Sequence, residues 1–327
     1  MSDLEERPGE HTLASRVGTP SAVEILEARR VPLGGPRAIE VRRTLPQRSR
    51  STIGAWCFAD HYGPVRLDEE AGMDVPPHPH TGLQTVSWLF EGEIDHRDSV
   101  GSHQLVRPGE LNLMTAGRGI SHSEVSTGSL PVLHGVQLWV ALPEEARRIE
   151  PFFEHHDGVR VDLPRAVVRV FVGELLGAGV PASVFTPLVA AQIDLEPGAT
   201  VELPLEAGFE YGVLVDSGPV RVEGVDVARP DLAYLAPGRT ALELSAGECG
   251  GRVVVIGGEP FPDRLVMWWN FVGRSHDDVA EARERWQVDV VAGGDGDGPF
   301  GTVDGYDGRP LPAPVLPTVR LRPRSGA

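Results

Sequence analysis

Short runs of β-branched and apolar residues alternate with turn signals along most of the chain. Among them are QTVSWLFEG (84–92), VLHGVQLWVAL (132–142), AVVRVFVGEL (166–175), EYGVLVDSGPVRVEG (210–224) and GRVVVIGG (251–258). The 39 Gly and 29 Pro residues lie between and around these runs and disfavour long helices. Strands at this spacing predict an all-β protein built as a sandwich or a barrel.

The strand pattern runs twice along the chain, over about residues 35–145 and again over about 165–260. Segments 90–114 and 214–238 illustrate the repetition. Each reads as a hairpin, a short strand and a Pro-containing turn before the next strand. The chain is also long enough for two domains of ordinary size. The pattern therefore predicts two copies of one β-unit.

The two ends of the chain carry different patterns. SHDDVAEARERWQ (275–287) predicts one short helix, because Ser275 can cap it and Asp277 and Asp278 suit the positive end of its dipole. The Gly- and Pro-rich residues that follow predict an extended tail, and residues 1–20 a mobile one. The predicted division is a tail at 1–20, an N-terminal unit at 21–150, a C-terminal unit at 151–275, and the closing helix with its tail at 276–327.

The composition narrows the classes of partner and compartment. A formal charge of −17 disfavours binding to nucleic acid or to an anionic membrane surface, since both need Lys and Arg. No apolar run reaches the ~18–20 residues of a transmembrane helix, and the N-terminus lacks a secretory pattern. Cys57 and Cys249 lie far apart, and we expect both to be buried, unpaired side chains. We expect a monomeric protein of the reducing cytoplasm.

Two pairs of ligand-type residues indicate the chemistry. In PPHPHTG, His78 and His80 lie two apart, so that an extended chain projects them from one face. In GRGISHSE, His122 and Glu124 form a second pair of this kind. Three imidazoles and one carboxylate converging inside a barrel would hold a divalent transition metal and leave coordination positions open. The alternative is that they are hydrogen-bonded core or loop histidines. Gln84 has the same parity and is expected on their inner face if no bulge intervenes.

The remaining histidines are expected to be structural. We expect His61 to hold a turn near the barrel, with an orienting contact to a metal ligand as the alternative. His96 is expected to make a hairpin hydrogen bond, and His134 to pack just before a strand. No histidine occurs between residues 157 and 275, so the sequence predicts no histidine-based metal site within the C-terminal unit.

HPHTGLQTVSWLFEGEIDHRDSVG, RPGELNLMTAGRGISHSE and HGVQLWVALP, within about residues 78–143, closely resemble the pirin family of the cupin superfamily. The resemblance implies a bicupin, with two β-barrels packed face to face and a metal in the N-terminal barrel alone. It implies that the metal ligands are His78, His80, His122 and Glu124. The usual ion of the family is iron, taken here as Fe2+, although the ligand set also suits Mn, Co, Ni, Cu or Zn. Many members carry Glu where this chain has Gln84, but that position is not the family's carboxylate ligand.

The resemblance implies two classes of function. The first is a quercetin 2,3-dioxygenase type of enzyme, in which a small aromatic flavonol binds at the iron. Glu124 is then the candidate catalytic residue, as the base for the flavonol 3-hydroxyl. The second is an iron-dependent, redox-responsive regulatory protein that acts through a protein partner. A cupin isomerase or epimerase acting on a sugar is a less favoured third. The open coordination positions favour the enzyme.

Overall fold

The computed structural model describes residues 11–13, 22–33, 39–68, 72–294 and 296–321. The first thirteen strands are β1 His11–Leu13, β2 Val23–Leu26, β3 Arg29–Leu33, β4 Ile39–Leu45, β5 Trp56–Arg66, β6 Asp74–His80, β7 Leu83–Glu91, β8 Ile94–Asp98, β9 His103–Val106, β10 Glu110–Thr115, β11 Ile120–Ser126, β12 Val132–Ala141 and β13 Phe152–Asp157.

The second half is also built of strands, followed by a single described helix. The elements are β14 Val159–Leu163, β15 Ala166–Leu175, β16 Ala178–Val180, β17 Leu188–Leu195, β18 Thr200–Pro204, β19 Glu210–Ser217, β20 Val220–Val222, β21 Val225–Val227, β22 Leu232–Leu235, β23 Ala241–Ala246, β24 Gly251–Gly258, β25 Leu265–Trp268, β26 Phe271–Gly273 and α1 His276–Trp286. A π-helical turn at Gln287–Val291 extends α1.

Apart from β1, β25 and β26, which form a small sheet of their own, the described strands form two sandwiches of antiparallel sheets. In the N-terminal half, a sheet in the order β13-β10-β7-β12-β5-β4-β3 faces a sheet in the order β6-β11-β8-β9. In the C-terminal half, a sheet in the order β14-β15-β17-β24-β19-β22-β2, with β16 beside β15, faces a sheet in the order β18-β23-β20-β21. The prediction of an all-β bicupin is confirmed. Within the described residues, however, the sheets of each half are not closed into a hydrogen-bonded barrel.

The large sheets of the two halves pack on each other through a shared apolar core. Trp88 stacks on Phe171 with ring centroids 4.3 Å apart. Its indole Nε1–H donates to Gln192 Oε1 at 2.8 Å. The indole of Trp56 likewise donates to the carbonyl oxygen of Gly257 at 3.1 Å. Burying side chains of this size stabilises the contact by roughly 1.5–3 kcal/mol each. The two cupin units therefore pack face to face, as expected.

Two strands cross the division predicted at residues 150 and 151. β2 lies in the predicted N-terminal unit but pairs with β22 of the C-terminal sheet. β13 lies in the predicted C-terminal unit but pairs with β10 of the N-terminal sheet. Each half of the chain thus contributes a strand to the other half's sheet, and sequence patterning along one segment gives no sign of such an exchange.

The predicted helix at 275–287 is confirmed as α1. The Oγ of Ser275 accepts the backbone N–H of Asp278 at 3.1 Å, and the Asp278 carboxylate accepts the N–H of Ser275 at 3.1 Å. This capping box satisfies two backbone donors that begin the helix. Val279 and Trp286 are the buried residues of α1, and they fix it to the body.

The C-terminal tail is extended, as predicted, and lies over the small N-terminal sheet. The backbone N–H of Leu311 donates to the carbonyl oxygen of Pro77 at 2.8 Å. The Oγ of Ser121 donates to the carbonyl oxygen of Phe300 at 2.8 Å. Because Pro77 and Ser121 lie on β6 and β11, the tail covers the strands that carry the predicted metal ligands.

Three other expectations concern the N-terminus, the cysteines and membrane spans. Of the tail predicted at residues 1–20, His11–Leu13 forms β1, which pairs with β25, and the rest lies outside the described residues. Cys57 is buried as predicted, but Cys249 is exposed, so that prediction was wrong. Cys249 lies in a turn between β23 and β24, where no core is available to it. No described helix combines the length and apolarity needed to span a bilayer.

Candidate metal centre

Three histidines meet on the inner face of the small N-terminal sheet. In the antiparallel register of β6 and β11, His78 lies directly opposite His122. Ring centroids are 4.3 Å apart for His78 and His122, 5.0 Å for His80 and His122, and 5.1 Å for His78 and His80. All three side chains are fully buried, and their ligand nitrogens lie within 4.8 Å of one another. Cross-strand register therefore brings His122 to the pair formed by His78 and His80.

Backbone hydrogen bonding fixes the tautomer of His78. Its Nδ1–H donates to the carbonyl oxygen of Pro76 at 2.8 Å. The lone pair is then on Nε2, which is buried and has no hydrogen-bond partner among the described residues. A buried acceptor left in this way costs about 1–3 kcal/mol unless something binds it. A histidine that binds a metal through one nitrogen usually donates its other N–H to a carbonyl in this manner.

The nitrogens of His80 and His122 have a spacing suited to a shared ion. Their Nε2 atoms are 3.1 Å apart. Two nitrogens bonded at ~2.1 Å to one ion lie about 3.0–3.4 Å apart, depending on its geometry. The edge of His80 also contacts the Trp139 ring, with centroids 5.1 Å apart and an interplanar angle of 81°. The donor set and the unpartnered His78 nitrogen therefore fit a divalent transition metal.

Burial keeps these imidazoles neutral. It lowers the pKa of His78 to about 3. Burial, followed by the charge of His78, lowers the pKa of His80 and of His122 well below the usual 6.5. A neutral imidazole offers a lone pair to a metal, whereas a protonated one does not. At neutral pH the cluster is therefore ready to act as a ligand set.

The carboxylate of Glu124 lies beside the rings but in a second grouping. One of its oxygens, one ring nitrogen of His96 and one ring nitrogen of His122 all lie within 4.8 Å of one another. The Oγ of Ser87, from the facing sheet, is 3.3 Å from Glu124 Oε1 and 2.9 Å from Gln137 Oε1. A β-bulge between His122 and Glu124 shifts the register of β11 against β6. Glu124 is thus within the centre, and its role as fourth ligand stays a prediction.

His96, expected to serve only the hairpin, is a buried neighbour of the cluster. Its Nδ1 lies 3.4 Å from Nδ1 of His122, and its Nε2 lies 3.3 Å from Oδ2 of Asp98. Its ring stacks on Phe153 with centroids 4.7 Å apart. The register of β8 and β11 places His96 opposite Glu124. Alternation along β8 could have indicated an inward side chain, but not which strand it would meet.

Gln84 does not join the inner face. Its Nε2–H2 donates to Thr115 Oγ1 at 2.9 Å and to the carbonyl oxygen of Ser183 at 2.8 Å. Because Ser183 lies in the C-terminal half, Gln84 points toward the other domain. β6 ends at His80, and Gly82 with φ +69° turns the chain before β7 begins. The alternation counted from His80 therefore does not carry over to Gln84.

His61 and His134 lie in the middle of strands rather than at a turn or before a strand. They belong to the central strands β5 and β12 and are buried. Both contact Asp216, which comes from β19 of the C-terminal half. The sequence expectations of a turn for His61 and of a position before the strand for His134 were therefore wrong. β5 begins at Trp56, five residues before His61, and β12 begins at Val132, two residues before His134.

A pocket of 190 Å³ lies just beyond the end of β6. Thr81 and Gly82, directly after His80, form one wall, and Phe300 of the tail and Val272 form another. Arg118 also lines it, held by the carboxylate of Glu150 at 2.8 Å.

Comparisons of sequence place the chain beside known cupins. The profile of the family described as Pirin matches residues 38–140, and that of the Pirin C-terminal cupin domain matches residues 190–290. "Putative quercetin 2,3-dioxygenase PA1205" of Pseudomonas aeruginosa is 42% identical over 326 residues, with 97% of this chain and 98% of that protein covered. The first family profile spans the strands that carry His78, His80, His122 and Glu124.

Comparisons of structure agree. A crystal structure of quercetin 2,3-dioxygenase from Acinetobacter baumannii has a TM-score of 0.84 and 40% identity, covering 92% of this chain and 98% of that chain. The bacterial pirin YhhW of Escherichia coli, in complex with nickel(II), has a TM-score of 0.57 and 20% identity, covering 73% of this chain and 100% of that one. The second likeness is one of fold.

Proposed function

The chain belongs to the pirin family, and from that premise we propose that it is a metal-dependent dioxygenase that opens flavonol-type substrates such as quercetin. The proposed ion is Fe2+, held by His78, His80 and His122, with Glu124 as a fourth ligand. Relatives of 40% and 42% identity carry the name quercetin 2,3-dioxygenase, which supports the substrate class.

One observation carries the proposal. The Nε2 of His78 is buried, has its lone pair fixed by the Pro76 carbonyl and has no partner among the described residues. It lies in one group with the ligand nitrogens of His80 and His122. A set of satisfied core histidines would pair this nitrogen within the protein. An ion supplies the partner that the described protein groups do not.

The surrounding side chains hold the ligands in place. The Pro76 carbonyl orients His78, and the Nδ1 atom of His96 faces that of His122 at 3.4 Å. Trp139 packs edge-on against His80. Ligands held by partners of this kind keep their geometry when the ion changes its other ligands. Full burial of the three imidazoles also limits access of water to the reacting groups.

When bound, an iron ion supplies Lewis acidity, which lowers the pKa of a coordinated hydroxyl, together with one-electron redox chemistry. We propose that Glu124 receives the proton of the flavonol 3-hydroxyl when its carboxylate loosens from the ion. The Oγ of Ser87 lies 3.3 Å from Glu124 Oε1. The Ser87 hydroxyl can therefore hold the Glu124 carboxylate while the carboxylate takes up and releases the substrate proton. The pocket at Thr81 and Gly82 is the side from which we propose that the substrate arrives.

Oxygen uptake with quercetin tests the function. Protein loaded with Fe2+ is compared with His122→Ala and with His156→Ala, a partly exposed histidine on β13 that contacts Glu154. We expect quercetin-dependent uptake by the wild type and by His156→Ala, and its loss in His122→Ala. Absence of uptake by the iron-loaded wild type, or equal uptake by His122→Ala, would overturn the proposal. The regulatory alternative stays a prediction, since no contact among the described residues favours it.

A further inference from the structure

A second cluster of ligand-type side chains lies between the two cupin units. It joins His61 of β5 and His134 of β12 to Asp216 of β19. The Nε2 of His61 and the Nε2 of His134 each lie 2.6 Å from Oδ1 of Asp216. The two Nε2 atoms are 3.4 Å apart. All three side chains are buried. The two nitrogens and the oxygen therefore meet away from bulk water.

The arrangement has the form of a three-ligand metal site. Donor atoms bonded at ~2.0–2.1 Å to a single ion lie about 3.0–3.4 Å apart, which matches the 3.4 Å between the two imidazole nitrogens. The two 2.6 Å separations are shorter and would lengthen when an ion binds. The rings of His61 and His134 stand nearly perpendicular, at 88° with centroids 5.4 Å apart. Both nitrogens can therefore point at one ion without the rings colliding. Burial lowers the pKa of His61 to about 4, so its imidazole is neutral at neutral pH.

The surroundings orient the carboxylate. Oδ2 of Asp216 lies 3.3 Å from Nη1 of Arg252. The guanidinium group of Arg252 also binds Asp194 at 2.8 Å, through Nε. The contact of Asp216 with Arg252 leaves Oδ1 directed at the two imidazoles. A groove of 440 Å³ between the units is lined by Phe90 and Arg252. The Phe90 ring contacts His134, with centroids 4.9 Å apart, so the groove lies one side chain away from the cluster.

The same three side chains can also form a hydrogen-bonded triad, in which both Nε2–H groups donate to Oδ1. That arrangement leaves Nδ1 of His61, which is buried, without a partner among the described residues. If a metal binds Nε2 of His61, Nδ1 carries the ring proton. The surroundings of Nδ1 are the same in both arrangements. Only an experiment with an ion separates the two arrangements. The positive charge of Arg252 lowers the affinity expected for a dication.

We propose that His61, His134 and Asp216 form a second divalent-metal site, of the class that takes Zn2+, which links the two cupin units. Two imidazoles and one carboxylate with an open fourth position are a common zinc ligand set. The site is separate from the centre on β6 and β11, and it does not depend on the proposed dioxygenase activity. A bound ion would favour the assembled pair of domains over the unfolded chain.

The test uses the full chain with His78→Ala, His80→Ala and His122→Ala, so that both ligand groupings of the first centre are disabled. After metal is stripped with a chelator, Zn2+ is added, excess is removed, and zinc per chain and Tm are measured. We expect about one Zn2+ per chain and a Zn2+-dependent rise in Tm. Adding Asp216→Asn is expected to abolish both. Adding Asp226→Asn, which changes an exposed carboxylate on β21 that pairs with Arg221, is expected to leave both unchanged.

Two results would overturn the proposal. One is the absence of bound zinc in the His78→Ala/His80→Ala/His122→Ala protein. The other is zinc that persists when Asp216→Asn is added. If Asp216→Asn does not fold, as judged by circular dichroism, His134→Gln is measured in the same way and decides the question. The dioxygenase proposal is unaffected by either result, because it is tested on the wild-type first centre.

Discussion

His96 and His122 face each other through their Nδ1 atoms, 3.4 Å apart inside the N-terminal cupin. On its other side, His96 places Nε2 3.3 Å from Asp98. The backbone N–H groups of Val100 and Ser102 donate to the remaining oxygen of Asp98. If Nε2 of His96 carries its proton, its Nδ1 accepts from His122. The lone pair of His122 is then on Nε2, directed at the other two imidazoles.

His96 should therefore act on the metal through His122. We expect His96→Ala to weaken Fe2+ binding by about 10–100-fold, the usual effect of losing a group that orients a ligand. The measurement is a competitive titration against a chelator. His103→Ala, an exposed histidine on the adjacent β9, is the control and should bind as the wild type does. Equal affinity of the His96 and His103 variants would contradict the orienting role.

Gln84 should matter for stability and not for metal content. Gln84→Glu replaces an N–H2 group that donates to Thr115 and to the Ser183 carbonyl by a carboxylate that faces this carbonyl. We expect a loss of about 1–3 kcal/mol in unfolding free energy at neutral pH. Elemental analysis should give unchanged metal per chain. A changed metal content would mean that this side chain reaches the centre.

Gly82 should be intolerant of a side chain because of its position after the ligand strand. Its φ is +69°, and a Cβ there would lie 2.1 Å from the carbonyl oxygen of Val272. Gly101 also has a positive φ, +91°, but a Cβ there meets nothing within 4 Å. We expect Gly101→Ala to cost about 1–2 kcal/mol from the backbone alone, and Gly82→Ala to cost clearly more. Denaturant unfolding of both variants checks this, and equal losses would contradict it.

The metal-stripped protein should lose stability as the pH falls below about 6.5. The pKa of His61 is lowered to about 4 and that of His78 to about 3 by burial, so the unfolded chain takes up protons that the folded chain does not. The stabilisation that these neutral histidines contribute is complete above the pKa of the unfolded state. It is lost progressively as the pH falls from that value to the pKa of the folded state. Each such histidine lowers the unfolding free energy by about 1.4 kcal/mol per pH unit in that window.

Denaturant unfolding at pH 7.5 and pH 5 measures this slope, with buffers matched in ionic strength. Replacing His61 with Gln should reduce the difference between the two conditions by about the contribution of one histidine. A free energy that is flat across this range would show that the buried imidazoles do not resist protonation.

Local patterning was enough to predict the strands, the capped helix and the common face of His78 and His80. Each of these depends on residues within a few positions of one another. The contact of His96 with His122 depends on the register between β8 and β11, and the reversal of Gln84 depends on the turn at Gly82. Neither can be obtained by counting along one strand.

The cluster of His61, His134 and Asp216 was beyond sequence reasoning for a different reason. The absence of histidine between residues 157 and 275 correctly limits what the C-terminal unit can build by itself. The packing of the two units brings one of its carboxylates to imidazoles of the other. The positions of β2 and β13, each in the other half's sheet, depend on the same kind of long-range pairing.

The metal content of the wild type beside His78→Ala/His80→Ala tests the central claim most directly. Both proteins are stripped, reconstituted with Fe2+ under nitrogen and freed of excess iron before elemental analysis. A double variant of outlying histidines, His103→Ala/His156→Ala, is the matched control. We expect about one iron fewer per chain in His78→Ala/His80→Ala than in the wild type and the control. Equal iron in all three proteins, or none in the reconstituted wild type, would contradict it.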